Sequence, residues 1–406
     1  MFSIHNTLRQ KTTKYDNFVI YLTLLSLTLK IKNSIIFSWY FFRGGGILSD
    51  KAFRLSLSFL SVFSALVLTI GILFLFFTSN NNQNQQPQSE STAQIEEINK
   101  QKPIVNTDAP ESFDSLLGTV TALKNHFPDI IKIYTAGYSE GGREILMYTL
   151  GNGEKKALIT GAIHAREHIT TKYLLKVTED YCNAYYSATG HYGSYDIYKL
   201  LNEYTLYIIP CINPDGLEII LSNDIPEKNV RVSKLSEYKA NKKGVDLNRN
   251  FPIAWEYINN GVTSPADYYF KGYNSGSARE TQALMKLCLE NDFSFMISVH
   301  IKGNCIFWGD TYKTQNNMIY KAFAEDICTA SGLLMTAPTK KAKDYGGGFE
   351  NWFRHQFDRP GVCIELSDNI NIIKPCTNEN YKDFDNFVNY QMSSNAIAAA
   401  MASANK

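Results

Sequence analysis

Residues 155–171 read KKALITGAIHAREHITT, an apolar run that passes directly into a cluster of two imidazoles, a carboxylate and a guanidinium. Continuous apolar character from Ala157 to Ile163 predicts a strand buried on both faces, as in a parallel sheet. After the cluster, residues 169–186 (ITTKYLLKVTEDYCNAYY) repeat their apolar positions at helical spacing. His164, Arg166, Glu167 and His168 therefore lie where a buried strand gives way to a helix, the usual place for sites in open α/β sheets. The spacing alone decides little. With seven histidines in the chain, a Glu three residues after one of them is expected by chance roughly a third of the time.

Strand and helix patterns alternate on both sides of this junction. ESFDSLLGTVTALKNHF (residues 111–127) has helical spacing; IIKIYTAGYS and REILMYTLG read as strands joined by the turn Glu140-Gly141-Gly142. EYTLYIIP is a buried strand ending in the turn Asn213-Pro214-Asp215-Gly216. Ser277-Ala278-Arg279-Glu280 has the spacing of a capping box opening a helix. FSFMISV is a strand that stops at His300, GVCIELSD is a strand carrying Glu365, and an amphipathic helix spans about Tyr381 to Met401. Such alternation predicts an α/β domain with a mixed, mainly parallel sheet flanked by helices.

Composition narrows the class. Across 406 residues, 44% are apolar and 19% charged, with a formal net charge of +1. That balance argues against a protein whose main task is gripping nucleic acid, which needs clustered excess Lys and Arg. The seven cysteines are odd in number and most sit in apolar runs (EDYCNAYY, IIPCINPD, MKLCLEN, GVCIEL), so they are read as buried, reduced thiols.

Ahead of the main domain, residues 55–77 (LSLSFLSVFSALVLTIGILFLFF) carry no charge over 23 positions, enough for a membrane-spanning helix. Lys51 and Arg54 precede the run and no Lys or Arg follows it closely, so the rest of the chain is expected outside the cytoplasm. FFTSNNN offers no small-x-small cleavage site, which favours a retained anchor, residues 48–79, over a cleaved signal. Residues 1–47 are read as untranslated: Arg43-Gly44-Gly45-Gly46 is what a purine-rich ribosome-binding site would encode, with synthesis starting near Leu48. Residues 80–104, rich in Asn, Gln and Ser, are read as a polar linker to a domain over residues 105–406.

Four polar positions fall at strand ends or inside strands: His164 with Glu167, Asn248-Arg249, His300 and Glu365. Two imidazoles and one carboxylate, with a fourth position left for water, form the donor set of a catalytic rather than a structural zinc. A further carboxylate, not bound to metal, is needed to take the water's proton; Glu365, costly inside an apolar strand unless used, is the candidate.

GAIHAREHITT, INPDG, KGVDLNRNFP, ISVHIKGNCIFW and GGGFENWFRHQFDRPGVCIEL resemble successive signatures of the zinc carboxypeptidase (funnelin) family, over about residues 105–400. They are most similar to its bacterial branch of γ-D-glutamyl-L-diamino acid endopeptidases, which cut peptidoglycan stem peptides. The resemblance implies an α/β fold with a central mixed eight-stranded sheet and one Zn²⁺ per chain held by His164, Glu167 and His300. It implies Glu365 as general base and acid, Asn248 and Arg249 as the pair that holds a substrate carboxylate, and Arg166 in the cleft near the metal.

Two positions depart from the pattern of the family's pancreatic members. The oxyanion-steadying arginine has no certain counterpart, and Lys239 stands nearest. The mobile tyrosine is also displaced, with Tyr345 two residues from its place. Glu350 falls where the resemblance puts the residue that sets side-chain preference after the cut bond, and a carboxylate there favours an amine such as lysine or diaminopimelate. The expected protein is thus a membrane-anchored, extracytoplasmic zinc peptidase acting on a peptide substrate, a cell-wall stem peptide. The alternatives are a carboxypeptidase trimming protein C-termini and an inactive fold that binds wall peptides.

Overall fold

The computed structural model describes residues 102–222, 224–311, 317–367 and 376–405. The expected untranslated segment, the anchor and nearly all of the linker lie outside these residues. In the described chain, α1 (Phe113–His126) leads into β1 (Ile131–Tyr138), β2 (Glu144–Leu150) and β3 (Lys155–Thr160). After α2 (Ile169–Tyr186) and the small hairpin β4 (His191–Tyr192) and β5 (Tyr195–Asp196) come α3 (Ile197–Glu203), β6 (Tyr204–Ile209) and α4 (Pro214–Leu221). The second half holds α5 (Arg279–Glu290), β7 (Phe293–Ile301), β8 (Cys305–Phe307), α6 (Asn317–Ser331), β9 (Leu334–Met335), α7 (Ala342–Tyr345), α8 (Phe349–Phe357) and β10 (Gly361–Leu366). Four short helices close the chain: α9 (Asn378–Lys382), α10 (Phe384–Phe387), α11 (Tyr390–Ser393) and α12 (Ala396–Ser403).

Eight of the described strands form one mixed sheet, the number and kind that the family resemblance implied, in the order β1-β2-β6-β3-β7-β10-β8-β9. At its centre β6, β3, β7 and β10 run parallel, while β1, β2 and β8 add antiparallel partners. Both faces are covered, which is why the central strands are apolar throughout rather than alternating. Leu146, Tyr148, Ile159, Phe295 and Ile297 face one core together with Leu174 of α2 and Ile397 of α12. Their neighbours Met147, Leu158 and Met296 face the other, with Leu284 of α5 and Phe349 and Trp352 of α8. The parallel direction brings the ends of β3, β7 and β10 to one edge of the sheet, and that shared edge positions the site.

Local expectations met three tertiary overrides. At Ser277 no capping box forms: α5 starts after Ala278 without a side-chain cap, and Arg279 N–H donates to Glu140 Oε1 at 3.1 Å. Ser277 Oγ instead accepts from Asn250 Nδ2. At NPDG the chain begins a helix rather than a free turn, with Asn213 capping Gly216 N–H at 2.9 Å and Pro214 at the first helical position. The single C-terminal helix expected from Tyr381 to Met401 is broken into separate turns, with Asn389 left-handed at φ 49°. Buried tyrosines of α2 compensate the breaks: Tyr173 and Tyr181 hydroxyls donate to the carbonyls of Ser393 and Ser394. All seven cysteines are free thiols, five of them buried.

Candidate functional site

The loop after β3 is stitched to two distant segments. Ile212 N–H and Asn213 N–H donate to the carbonyls of Gly161 and Ala162, while Ala165 N–H and Arg166 N–H donate to those of Lys239 and Tyr238. These bonds fix a short 3₁₀ turn, Ala165–Glu167, that points His164 and Glu167 the same way. From β7, His300 meets them. Glu167 bridges the two rings, with Oε1 2.8 Å from His164 Nδ1 and Oε2 2.9 Å from His300 Nδ1. The rings lie 4.8 Å apart, centre to centre. All three side chains are buried.

This triplet fits a divalent ion. A buried carboxylate facing two imidazoles is the donor set of catalytic zinc, and donors around a tetrahedral ion with ~2.0–2.2 Å bonds stand roughly 3.3 Å apart, close to the spacing here. Behind His164, the buried carboxylate of Asp246 stands 3.4 Å from Nε2. A carboxylate there orients the ring and leaves Nδ1 for the metal. The sequence reading overlooked Asp246, although it stands two residues ahead of Asn248 in the same DLNRN stretch. Lys239, whose Nζ is 3.9 Å from its other oxygen, and neighbouring His164 counter the burial of Asp246 and hold it far below the usual carboxylate range.

Glu365 on β10 sits opposite His300 on the adjacent parallel strand. Its carboxylate lies within 4.8 Å of the His300 ring nitrogen and of Cys363 Sγ. The residue is partly exposed, yet Oε2 is sealed from solvent and has no hydrogen-bond partner among the described residues. Enclosure, opposed by His300 and reinforced by the Glu167 carboxylate, pushes its carboxyl up to about 8. Gly303 makes this position accessible: a Cβ there would lie 3.0 Å from Glu365 Cβ.

The remaining expected residues divide. Lys239 is nearly buried, and its ammonium lies 5.7 Å from the centre of the Tyr269 ring, with its charge felt by both His164 and Glu365. Asn248 Oδ1 accepts Phe349 N–H at 2.7 Å, and Arg249 Nη1 donates to the carbonyl of Asn248. Only glycine fits at Gly347, where φ is 69° and a Cβ would come within 2.2 Å of the Arg249 carbonyl oxygen. Glu350 is not the exposed helix residue that its pattern also allows: it is 6% exposed and its Oε2 has no partner among the described residues. Arg166 Nε is likewise sealed without a partner.

Tyr345 must be corrected. It is 4% exposed and packed in the apolar cluster of Phe251, Phe349 and Trp352, which does not suit a ring that swings over a substrate. Tyr269 was missed. It is exposed, held at φ 66°, and its N–H donates to Asp246 Oδ2 at 3.2 Å, a costly conformation for an aromatic residue beside the site. His168, four residues after His164, pairs with the Tyr381 hydroxyl at 2.6 Å.

Comparison with known proteins gives the family and the fold. The family model for zinc carboxypeptidases matches residues 117–384. Gamma-D-glutamyl-L-diamino acid endopeptidase 1 of Lysinibacillus sphaericus is 27% identical over 278 residues, 66% of this chain and 68% of that protein. The YqgT protein of Bacillus subtilis is 30% identical over 242 residues, 57% of this chain and 63% of its own length. The chain thus spans about two thirds of the length of these relatives. Among solved structures, bovine thrombin-activatable fibrinolysis inhibitor in complex with tick carboxypeptidase inhibitor superposes with a TM-score of 0.55 at 17% identity, covering 74% of this chain and 98% of that one, a likeness of fold. The matched family uses one zinc ion, and His164, Glu167 and His300 are the residues here that fit it.

Proposed function

We propose that this chain, which belongs to the zinc carboxypeptidase family, hydrolyses peptide bonds of cell-wall stem peptides of the γ-D-glutamyl-diamino acid type. The observation that carries the reading is a three-donor cluster standing beside a separate carboxyl, Glu365, with one sealed and unpartnered oxygen. When bound, zinc supplies Lewis acidity, bringing the pKa of a water toward about 7 and polarising a carbonyl. Glu365 takes the proton from the attacking water and returns it to the departing nitrogen; a carboxyl beside the three donors, with one oxygen left without a partner among the described residues, is placed to do both. Lys239 offers a point charge to the developing oxyanion. Arg249, positioned by Asn248 and the Gly347 turn, presents a planar guanidinium to a substrate carboxylate, and Arg166 lines the cleft beside it.

Glu350 carries the preference for the residue after the cut bond. A buried carboxylate with a vacant oxygen favours an amine over an apolar side chain, because only the amine offsets the cost of its burial. The name of the Lysinibacillus relative, a γ-D-glutamyl-L-diamino acid endopeptidase, supports the same substrate class. Incubating the metal-replete full-length chain with muropeptides and, separately, with linear oligopeptides, then weighing the products, tests this. Cleavage between the γ-D-glutamyl and diamino residues is expected. Stepwise loss of C-terminal residues from linear peptides, with muropeptides intact, would establish the carboxypeptidase alternative; no cleavage of either would leave a binding protein.

The same reading places the catalytic domain outside the cytoplasm on a single-pass anchor. Its support is the uncharged run Leu55–Phe77 with basic residues on one side. Among the described residues no helix is long and apolar enough to cross a membrane. Carbonate-resistant membrane association, with digestion of the domain by protease added to spheroplasts, is the expected outcome; release by carbonate would refute it.

A further inference from the structure

We infer that a polar hollow beside the catalytic edge is a sugar subsite, taking the N-acetylated amino sugar of the glycan to which a stem peptide is attached; the choice of glycan rests on the wall-peptide reading above. The hollow has a volume of about 720 Å³ and lies between the broken C-terminal helix and the loop joining β7 to β8. That volume is within the range of small-ligand sites.

The lining selects the ligand. It consists of Tyr192, Tyr390, Asp385, Asn304, Gln391 and further asparagines, with no lysine, no arginine and no aliphatic side chain. Without a cation, phosphate or another anion has nothing to pair with. Without aliphatic surface, a lipid or apolar side chain gains little. One carboxylate is too few for a dedicated calcium cage. What remains is a neutral ligand dense in hydroxyl and amide groups. Each Asn or Gln offers a donor pair and an acceptor, the combination a pyranose ring with an acetamido group requires. The side chains of Asn304, Asn389 and Gln391 make no hydrogen bond with another described residue, so these groups are available.

The tyrosines have a different part. Tyr390 donates its hydroxyl to Asp180 Oδ2 at 2.8 Å, and the Tyr192 hydroxyl lies 2.8 Å from Ser394 Oγ. Tyr390 is buried, its ring packed by Tyr173, Phe384 and the Lys176 ammonium, so it forms the floor; the half-buried Tyr192 ring is the one that offers carbon surface to the C–H face of a sugar. The hollow also adjoins the reaction centre. Asn304 follows Gly303, which packs on Glu365, so its Cα is within roughly 8 Å of Glu365 Cβ. A stem peptide bound at Glu365 can span that distance with roughly two or three extended residues.

Calorimetric titration of the metal-free full-length chain with the N-acetylglucosamine tetramer tests the assignment without any turnover. Saturable binding is expected, with none for cellotetraose, which has the same linkage but no acetamido groups. The Asp385→Ala, Gln391→Ala double variant should bind about tenfold more weakly, with an unchanged thermal midpoint. Should that variant unfold, Gln391→Ala alone, at an exposed position, provides the same reading. No binding to the parent chain, equal binding of cellotetraose, or undiminished binding by the variants would overturn the subsite. Because hydrolysis of a sugar-free stem peptide is measured separately, loss of one reading leaves the other intact.

Discussion

Glu280 and Glu350 are both acids enclosed in the same domain, yet their surroundings are opposite. At the start of α5, Glu280 Oε1 accepts Glu140 N–H and Oε2 accepts Asn241 Nδ2. Nearby Asp215 is equally engaged, with Arg143 on one oxygen and Gly141 N–H on the other. At the catalytic edge, Glu350 and Glu365 each keep one sealed oxygen without a partner among the described residues. An acid with both oxygens engaged ties segments together; one with a vacant oxygen carries an unmet desolvation cost that a substrate can relieve. The two acids to which we assign catalysis and specificity are thus left with a vacant oxygen, whereas Glu280 and Asp215 have none.

Removing a metal donor gives the largest effect. His300→Ala should lower zinc affinity by ~100-fold or more and take activity to background, measured as zinc per chain after dialysis; full zinc retention would break the assignment. Glu365→Gln should cut kcat by ~10²–10⁴-fold while leaving zinc content at one per chain, which separates the acid from the donors. Glu350→Gln should reduce the preference for a diamino residue over a neutral one by about 10- to 100-fold, read as the ratio of kcat/KM values on matched peptides. An unchanged ratio would make its vacant oxygen a structural accident.

The smallest effect is on stability at the structural end. Burial, only partly offset by its hydrogen bonds, pushes Glu280 up to about 7 from 4.5. Between those values the folded chain retains a proton that the unfolded chain has lost. Stability is therefore greatest below about pH 4.5 and declines as pH rises through about 7, by at most roughly 3 kcal/mol from this group. In Glu280→Gln that slope should flatten, as followed by denaturant midpoints across the range. An identical slope would mean that the site carboxylates, not Glu280, set the pH response.

Legibility followed sequence distance. His164 and Glu167 are three residues apart at a strand end, and Glu365 lies within an apolar strand, so local pattern exposed them. The broken C-terminal helix was not legible, because Tyr173 and Tyr181 hydroxyls from α2, more than two hundred residues earlier, take the carbonyls that the breaks release. Ser277 misled for a similar reason: Asn250 engages its hydroxyl, and Glu140 replaces it as the partner of the helix start.

The alternation of strands and helices and the candidate polar positions His164, Glu167, His300 and Glu365 follow from local periodicity and residue chemistry, which a linear chain displays; the resemblance of its motifs to a known family supplied their roles. Burial of Glu350, placement of Tyr345 in the core, the partnership of Asp246 with His164 and the seating of Tyr269 over Lys239 were settled only in three dimensions. Each depends on which distant backbone supplies a donor, an acceptor or a wall, and solvation of a side chain is a property of its surroundings rather than of its neighbours along the chain.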